Sequence, residues 1–145
     1  MDKKAKVRAE DFHKMMDFRN NHPGFTREMG MKVTEVSDGY ARVEMDVDKR
    51  SCNPISSVHG GVIFALADTA GGVAATTKGS LVTTVTGNIN YLNPALEVKK
   101  LIATTREVKV GKNILVYDVS VTDENEKIIA EARMTFYSLH KDVIF

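Results

Sequence analysis

The sequence predicts an α+β fold, a long central helix wrapped by a curved antiparallel sheet of about six strands with an N-terminal cover helix. Three observations predict it. The stretch HGGVIFALADTAGGVAATT, His59 to Thr77, holds one charged residue, Asp68, and a helix that is apolar nearly all round must be surrounded. From Tyr40 to Val47 the residues Ala41, Val43, Met45 and Val47 alternate with Arg42, Glu44 and Asp46, the period of two that marks a strand. After Lys78-Gly79 four further strand-like runs follow one another with short links, which favour antiparallel pairing.

Each element has its own signal. Residues 7–20 set Val7, Phe12, Met15, Met16 and Arg19 at mixed helical spacing, and Asn20-Asn21-His22-Pro23-Gly24 ends this cover helix. Met31 to Val36 pairs with Tyr40 to Val47 as a hairpin across Ser37-Asp38-Gly39. Asp48 to Val58, with Asn53-Pro54 and several serines, is a loop that delivers the chain to the central helix near His59. The later strands are Val82 to Leu92, Val98 to Val110, Ile114 to Val121 and Ile128 to Leu139, separated at Asn93-Pro94, Gly111-Lys112-Asn113 and Asp123-Glu124-Asn125. In the last of them Ile128, Ala130, Ala132, Met134 and Phe136 share the covered face.

Composition bounds the function. The 145 residues fit a single domain, 1–145, with residues 1–27 as tail and cover helix, and the formal charge of +1 gives no field for a nucleic-acid partner. The one cysteine, Cys52, excludes an intramolecular disulfide and fits the cytoplasm. The start MDKKAKVRAEDF lacks the apolar run of a secretory signal, and its lysines are expected to be a solvated terminus. Gly60 to Ala75 is broken by Asp68 and four glycines, short of the ~18 apolar residues of a membrane span. The four histidines are scattered with no paired spacing, so no metal and no cofactor are expected.

Chemistry concentrates on the central helix. The first turn of a helix leaves N–H groups without partners, and with the positive end of the macrodipole they can hold a developing oxyanion. Gly60 and Gly61 leave that backbone open to a ligand, or they serve tight packing at the loop–helix junction. Asp68 is either a buried carboxylate satisfied by hydroxyl or backbone donors, from Thr69 or a strand, or a general base or nucleophile made more basic by apolar surroundings. It follows His59 by nine residues, half a turn net and roughly 13.5 Å along the axis. Both can serve one site only if two copies contribute, which argues for a homodimer. Gly71-Gly72 inside the helix suggests close helix approach across that dimer, or a kink.

The string Asn53-Pro54-Ile55-Ser56-Ser57-Val58-His59-Gly60-Gly61 with Leu66-Ala67-Asp68, an N-x5-HGG-x6-D spacing, resembles the signature of hotdog-fold acyl-CoA thioesterases of the phenylacetate-degradation type, within the hydroxybenzoyl-CoA thioesterase superfamily. Thr84, the segment Asn88 to Pro94, and Gly111-Lys112 add to the match, which spans about residues 28–139. The resemblance implies hydrolysis of an acyl-CoA to a free acid and CoA in sites shared between the subunits of a homodimer, itself part of a homotetramer. It implies that the Gly60 N–H polarises the thioester carbonyl with help from Asn53, that Asp68 of the other chain activates water or attacks directly, and that Thr84 orients the water or the carboxylate. His59 is placed as an orienting group rather than a proton relay. Gly61, Asn90, Gly111 and Lys112 are placed with the substrate, Lys112 against a CoA phosphate.

Two rivals stand beside this. A thiol nucleophile built from Cys52 and His59 has no oxyanion geometry behind it. A non-catalytic acyl-CoA-binding or sensor module would keep the pocket without turnover.

Overall fold

Residues 7–145 are described by the computed structural model; the basic terminal run lies outside the described residues. After a short 3-10 turn, Ala9–Asp11, come α1 (Phe12–Asn21) and α2 (Phe25–Glu28). The strands are β1 (Met31–Ser37), β2 (Tyr40–Asp46), β3 (Ser80–Tyr91), β4 (Lys100–Val110), β5 (Ile114–Asp123) and β6 (Ile128–Asp142), with α3 (Gly60–Thr76) between β2 and β3. Six strands form one sheet in the order β1-β2-β4-β5-β6-β3, every neighbouring pair antiparallel.

The sheet wraps α3, whose Leu66, Ala67, Ala70, Val73, Ala74 and Ala75 are wholly buried. Against them stand Ala41, Val43 and Met45 of β2, Leu101 and Ala103 of β4, Tyr117 and Val119 of β5, and Met134 and Phe136 of β6. Removing a Leu or Phe side chain of this kind from water contributes about 1.5–3 kcal/mol, so the helix is held by the face it turns to the sheet, while the side carrying Ala65, Asp68, Thr69 and Gly72 is only half-buried. Gly71 is explained by the same packing. A Cβ on Gly71 would lie 2.9 Å from Phe136 Cζ, so α3 approaches β6 as closely as it does because no side chain intervenes.

Three features depart from simple alternation. Consecutive strands β3 and β4 do not pair, because the link through Asn93-Pro94 carries the chain from one side of the sheet to the other, tied down by Val58 N–H to Ala95 O and a Ser57–Leu96 bridge. Register shifts break the period of two in β1 between Val33 and Glu35 and in β3 between Thr84 and Thr86. At the start of β6 a third shift seals Ile129 at 1% exposure and leaves Ile128 at 40%, correcting the expected face of Ile128.

The cover helix α1 buries Met15 and is fastened to β1 by Asn20, whose Nδ2 donates to Val33 O at 2.9 Å while its Oδ1 accepts from Val33 N–H at 2.8 Å. At the far side of the sheet β3 is an edge strand of twelve residues, with Leu81, Val85 and Tyr91 exposed. Among the described residues no helix is long and apolar enough to cross a membrane.

Candidate active site

The loop before α3 is built to present two side chains. Ser51 O accepts the His59 N–H at 2.8 Å, and Cys52 bridges Val58, so the intervening residues close on themselves. Inside that closed loop Asn53 Oδ1 accepts from the backbone N–H groups of Ile55 and Ser57, both at 3.1 Å. Its acceptor end is thereby occupied, which assigns the Nδ2 amide as the end that can donate to a ligand.

His59 is the N-cap of α3, with extended backbone and Nδ1 accepting from Gly61 N–H at 2.8 Å. In the neutral ring this puts the proton on Nε2. The Gly61 N–H is therefore spent within the protein, and Gly61 serves the cap. Val62 and Ile63 N–H both reach the His59 carbonyl, at 2.9 and 3.2 Å. Of the orphan donors of the first turn, only the Gly60 N–H meets no acceptor among the described residues. Tyr91 closes over this point, its hydroxyl donating to Gly60 O at 2.9 Å and its ring 3.3 Å from where a Gly60 Cβ would stand. A cavity of about 300 Å³ opens there, lined by Gly60, Ile63, Tyr91, Leu92 and Pro94 among others.

Asp68, two turns further along α3, is half-buried rather than sealed. Its satisfying donor comes from a strand: Thr84 Oγ1 donates to Asp68 Oδ1 at 2.7 Å, whereas Thr69 turns back to Ala65 O. One carboxylate oxygen is thus fixed and the other is left to accept from water. A second cavity of about 300 Å³ surrounds the pair, lined also by Arg19, Phe25, Gly72, Val82 and Phe136, and it shares no lining residue with the cavity at the helix start.

The remaining expected residues fall elsewhere. Because the shift after Thr84 inverts the alternation of β3, Ile89 packs on the core and Tyr91 meets Gly60, while Asn90 stands on the opposite face beside Asp118, Glu131 and Arg133 in an outer groove of about 460 Å³. Asn90 is therefore not brought together with Asp68 or Gly60. Gly111 closes the β4–β5 hairpin, its N–H donating to Ile114 O at 2.8 Å, where a Cβ would press on that carbonyl at 3.0 Å. Lys112 lies beside it over a cavity of about 310 Å³ that contains Lys78 and His140. Cys52 is free and half-buried, and since His59 Nδ1 is engaged with Gly61 no thiol–imidazole pair is formed through that nitrogen. Among the described residues no three His, Cys, Asp or Glu side chains gather as a metal site.

Arg19 was not among the residues that motif spacing brings forward, yet it lines the Asp68 cavity. Its only sequence signal is a charge set among the apolar positions of the cover helix.

Comparison with known proteins agrees with this fold. Residues 56–130 match the thioesterase superfamily. A protein of Archaeoglobus fulgidus named as a putative esterase is 37% identical over 77% of this chain and 72% of its own length. The acyl-coenzyme A thioesterase PaaI of Escherichia coli is 31% identical over 70% of this chain and 73% of its own. The solved structure of the E. coli PaaI protein from the phenylacetic acid degradation operon superposes with a TM-score of 0.83 at 26% identity, covering 93% of this chain and 95% of that one. With the helix-wrapping sheet and the Asn53–His59–Gly60 and Asp68–Thr84 groups in place, the chain belongs to the thioesterase superfamily as a hotdog-fold member of the PaaI-like type.

Proposed function

We propose that the protein is a cytoplasmic acyl-CoA thioesterase that works as a homodimer with two shared sites, within a homotetramer, hydrolysing an acyl-CoA to a carboxylate and CoA. The observation that carries this reading is the division of labour along α3: a free oxyanion donor at Gly60 and an oriented carboxylate at Asp68, in separate cavities of the same chain. Eight residues part them, roughly 12 Å along the helix, too far for one thioester carbon. A second copy supplies the missing half. The exposed edge β3 supports such a partner, since a long unpaired edge carrying Leu81, Val85 and Tyr91 is a template for pairing with another chain.

In this reading the thioester oxygen accepts the Gly60 N–H, aided by the dipole of α3 and by Asn53 Nδ2. Asp68 of the partner subunit, held by its own Thr84, takes a proton from water as the oxygen adds to the carbonyl carbon. Collapse of the tetrahedral intermediate breaks the C–S bond, and the thiolate leaves to be protonated as CoA. His59 holds the start of the helix and offers Nε2–H toward the substrate. Gly111 and Lys112 lie at a hairpin suited to a CoA phosphate, Lys112 acting as a point charge.

Thiol release from a panel of acyl-CoA thioesters tests the proposal. Turnover abolished by Asp68→Asn supports it. Tight acyl-CoA binding with no thiol release by the wild-type protein points instead to a sensor.

A further inference from the structure

Arg19 and the exposed Arg27, which donates to Asn21 O at 3.4 Å, are the two arginines with no carboxylate partner among the described residues, and of the two Arg19 alone is drawn into a cavity. Arg8, Arg42, Arg50, Arg106 and Arg133 each pair with a carboxylate. Among the described residues Arg19 has no acidic partner; its one contact is a long one, Nη2 to Thr76 Oγ1 at 3.5 Å, and that hydroxyl already donates to Gly72 O at 2.7 Å. Burial pushes its guanidinium below the ordinary value, and no acid opposes the shift. Arg19 is half-buried, and a cation partly withdrawn from water without a counter-charge is destabilised. The position is nevertheless rigid, because the next residue, Asn20, locks α1 to β1 with two hydrogen bonds.

The guanidinium also lies in a telling place. It lines the cavity that contains Asp68. Its contact Thr76 is eight residues beyond Asp68 on α3, roughly 12 Å along the axis, with Gly72 midway and no side chain there to fill the space. Phe25, Val82 and Phe136 form apolar walls. The cavity therefore runs from a reacting end, past apolar surface, to five N–H donors in a planar fork with no acceptor of matching charge.

We infer that Arg19 is a specificity-determining residue that receives a carboxylate at the far end of the acyl chain, so the favoured substrates are ω-carboxyacyl-CoA thioesters. This rests on the thioesterase reading above and names its substrate class. The arginine fork matches a carboxylate bidentately, and the charge that folding leaves unpaired is paired on binding. A chain ending in a methyl group would leave it half-buried and unpaired.

The test compares adipoyl- and suberoyl-CoA with hexanoyl- and octanoyl-CoA, equal in chain length, on the purified full-length protein. The expected result is a kcat/KM at least about 10-fold higher for a carboxyacyl thioester than for its methyl-ended counterpart, the difference lying mainly in KM. Arg19→Gln is expected to lower the carboxyacyl values by about 10²-fold and the methyl-ended values by less than about 3-fold, with Arg19→Lys in between. Free adipate should also inhibit the wild-type enzyme more strongly than hexanoate, a measurement that needs no variant. Wild-type preference for the methyl-ended thioesters, equal inhibition by the two free acids, or an equal loss on all four substrates in Arg19→Gln overturns the inference while leaving thioesterase activity standing. Failure of the wild-type protein to release thiol from any of the four overturns the activity itself and this inference with it.

Discussion

The Thr84 hydroxyl reaches from β3 to Asp68 on α3 and donates to Oδ1 at 2.7 Å, just before the register shift that interrupts the strand. Hydrogen bonds to charged groups contribute about 1.5–3 kcal/mol. Replacing Thr84 by Val, which keeps the shape and removes the donor, is therefore expected to lower kcat by about 10- to 100-fold. Asp68→Asn removes the base and should cost at least about 10²-fold. Steady-state kinetics beside circular dichroism separate loss of chemistry from loss of fold; wild-type kcat in either variant removes that residue from the mechanism.

Sharing of the site is checked by mixing subunits. Asn53→Asp keeps the Oδ1 that accepts from Ile55 and Ser57 but replaces the Nδ2 donors, so the loop should survive while activity falls. Heterodimers of Asn53→Asp and Asp68→Asn chains contain one unaltered site if Asn53 and Asp68 come from opposite subunits. Recovered activity in isolated heterodimers is the expected outcome, and its absence assigns both residues to the same chain's site.

The two adjacent glycines of α3 should respond oppositely to alanine. At Gly72 a new Cβ meets nothing nearer than Phe136 Cε1 at 3.7 Å, ordinary contact, so Gly72→Ala should stabilise by up to about 1 kcal/mol through helix propensity. At Gly71 the same atom would lie 2.9 Å from the buried Phe136 ring, and overpacking of about 1–3 kcal/mol should outweigh that gain. Urea unfolding of the two variants gives the comparison directly.

On the outer face of the sheet Asp118 is gripped by Arg133 and Arg106. The hydrogen-bonded Arg133 guanidinium, opposed by partial burial and reinforced by Arg106, holds the Asp118 carboxyl below its ordinary value. A depressed acid stabilises the fold above its unfolded value, and that stability is lost as the pH falls through the lower folded one. Arg133→Gln should thus cost only a little stability near neutrality, because the arginines are exposed and solvent screens the pair. The gap should close on acidification, as read from unfolding midpoints at pH 7 and in acid; a gap that widens would reverse the assignment.

Much of the site is local and could be read from spacing. His59, Gly60 and Asp68 sit on one helix whose apolar composition identifies it, and Asn53 lies in the loop that enters it. What spacing could not reveal is parity. Thr84 and Asn90 are six residues apart and share a face in an unbroken strand, but the extra residue after Thr84 sends Asn90 to the outside. The same cause moved Ile128 out and Ile129 in. Arg19 was hidden for another reason: its place in the cavity that also holds Asp68 depends on how α1 docks on β1 and α3, a contact between elements far apart in the chain that no local period encodes.

The uncapped ribbon of β3 also bears on how the protein comes into being. A copy by itself displays the outward main-chain donors and acceptors of a twelve-residue edge strand, flanked by oily side chains, so in the proposed dimer the twin would also shield this edge from adventitious pairing. If the proposed dimer forms, dilution should erode thermal resistance as well as turnover, because association would be linked by mass action to the folded state.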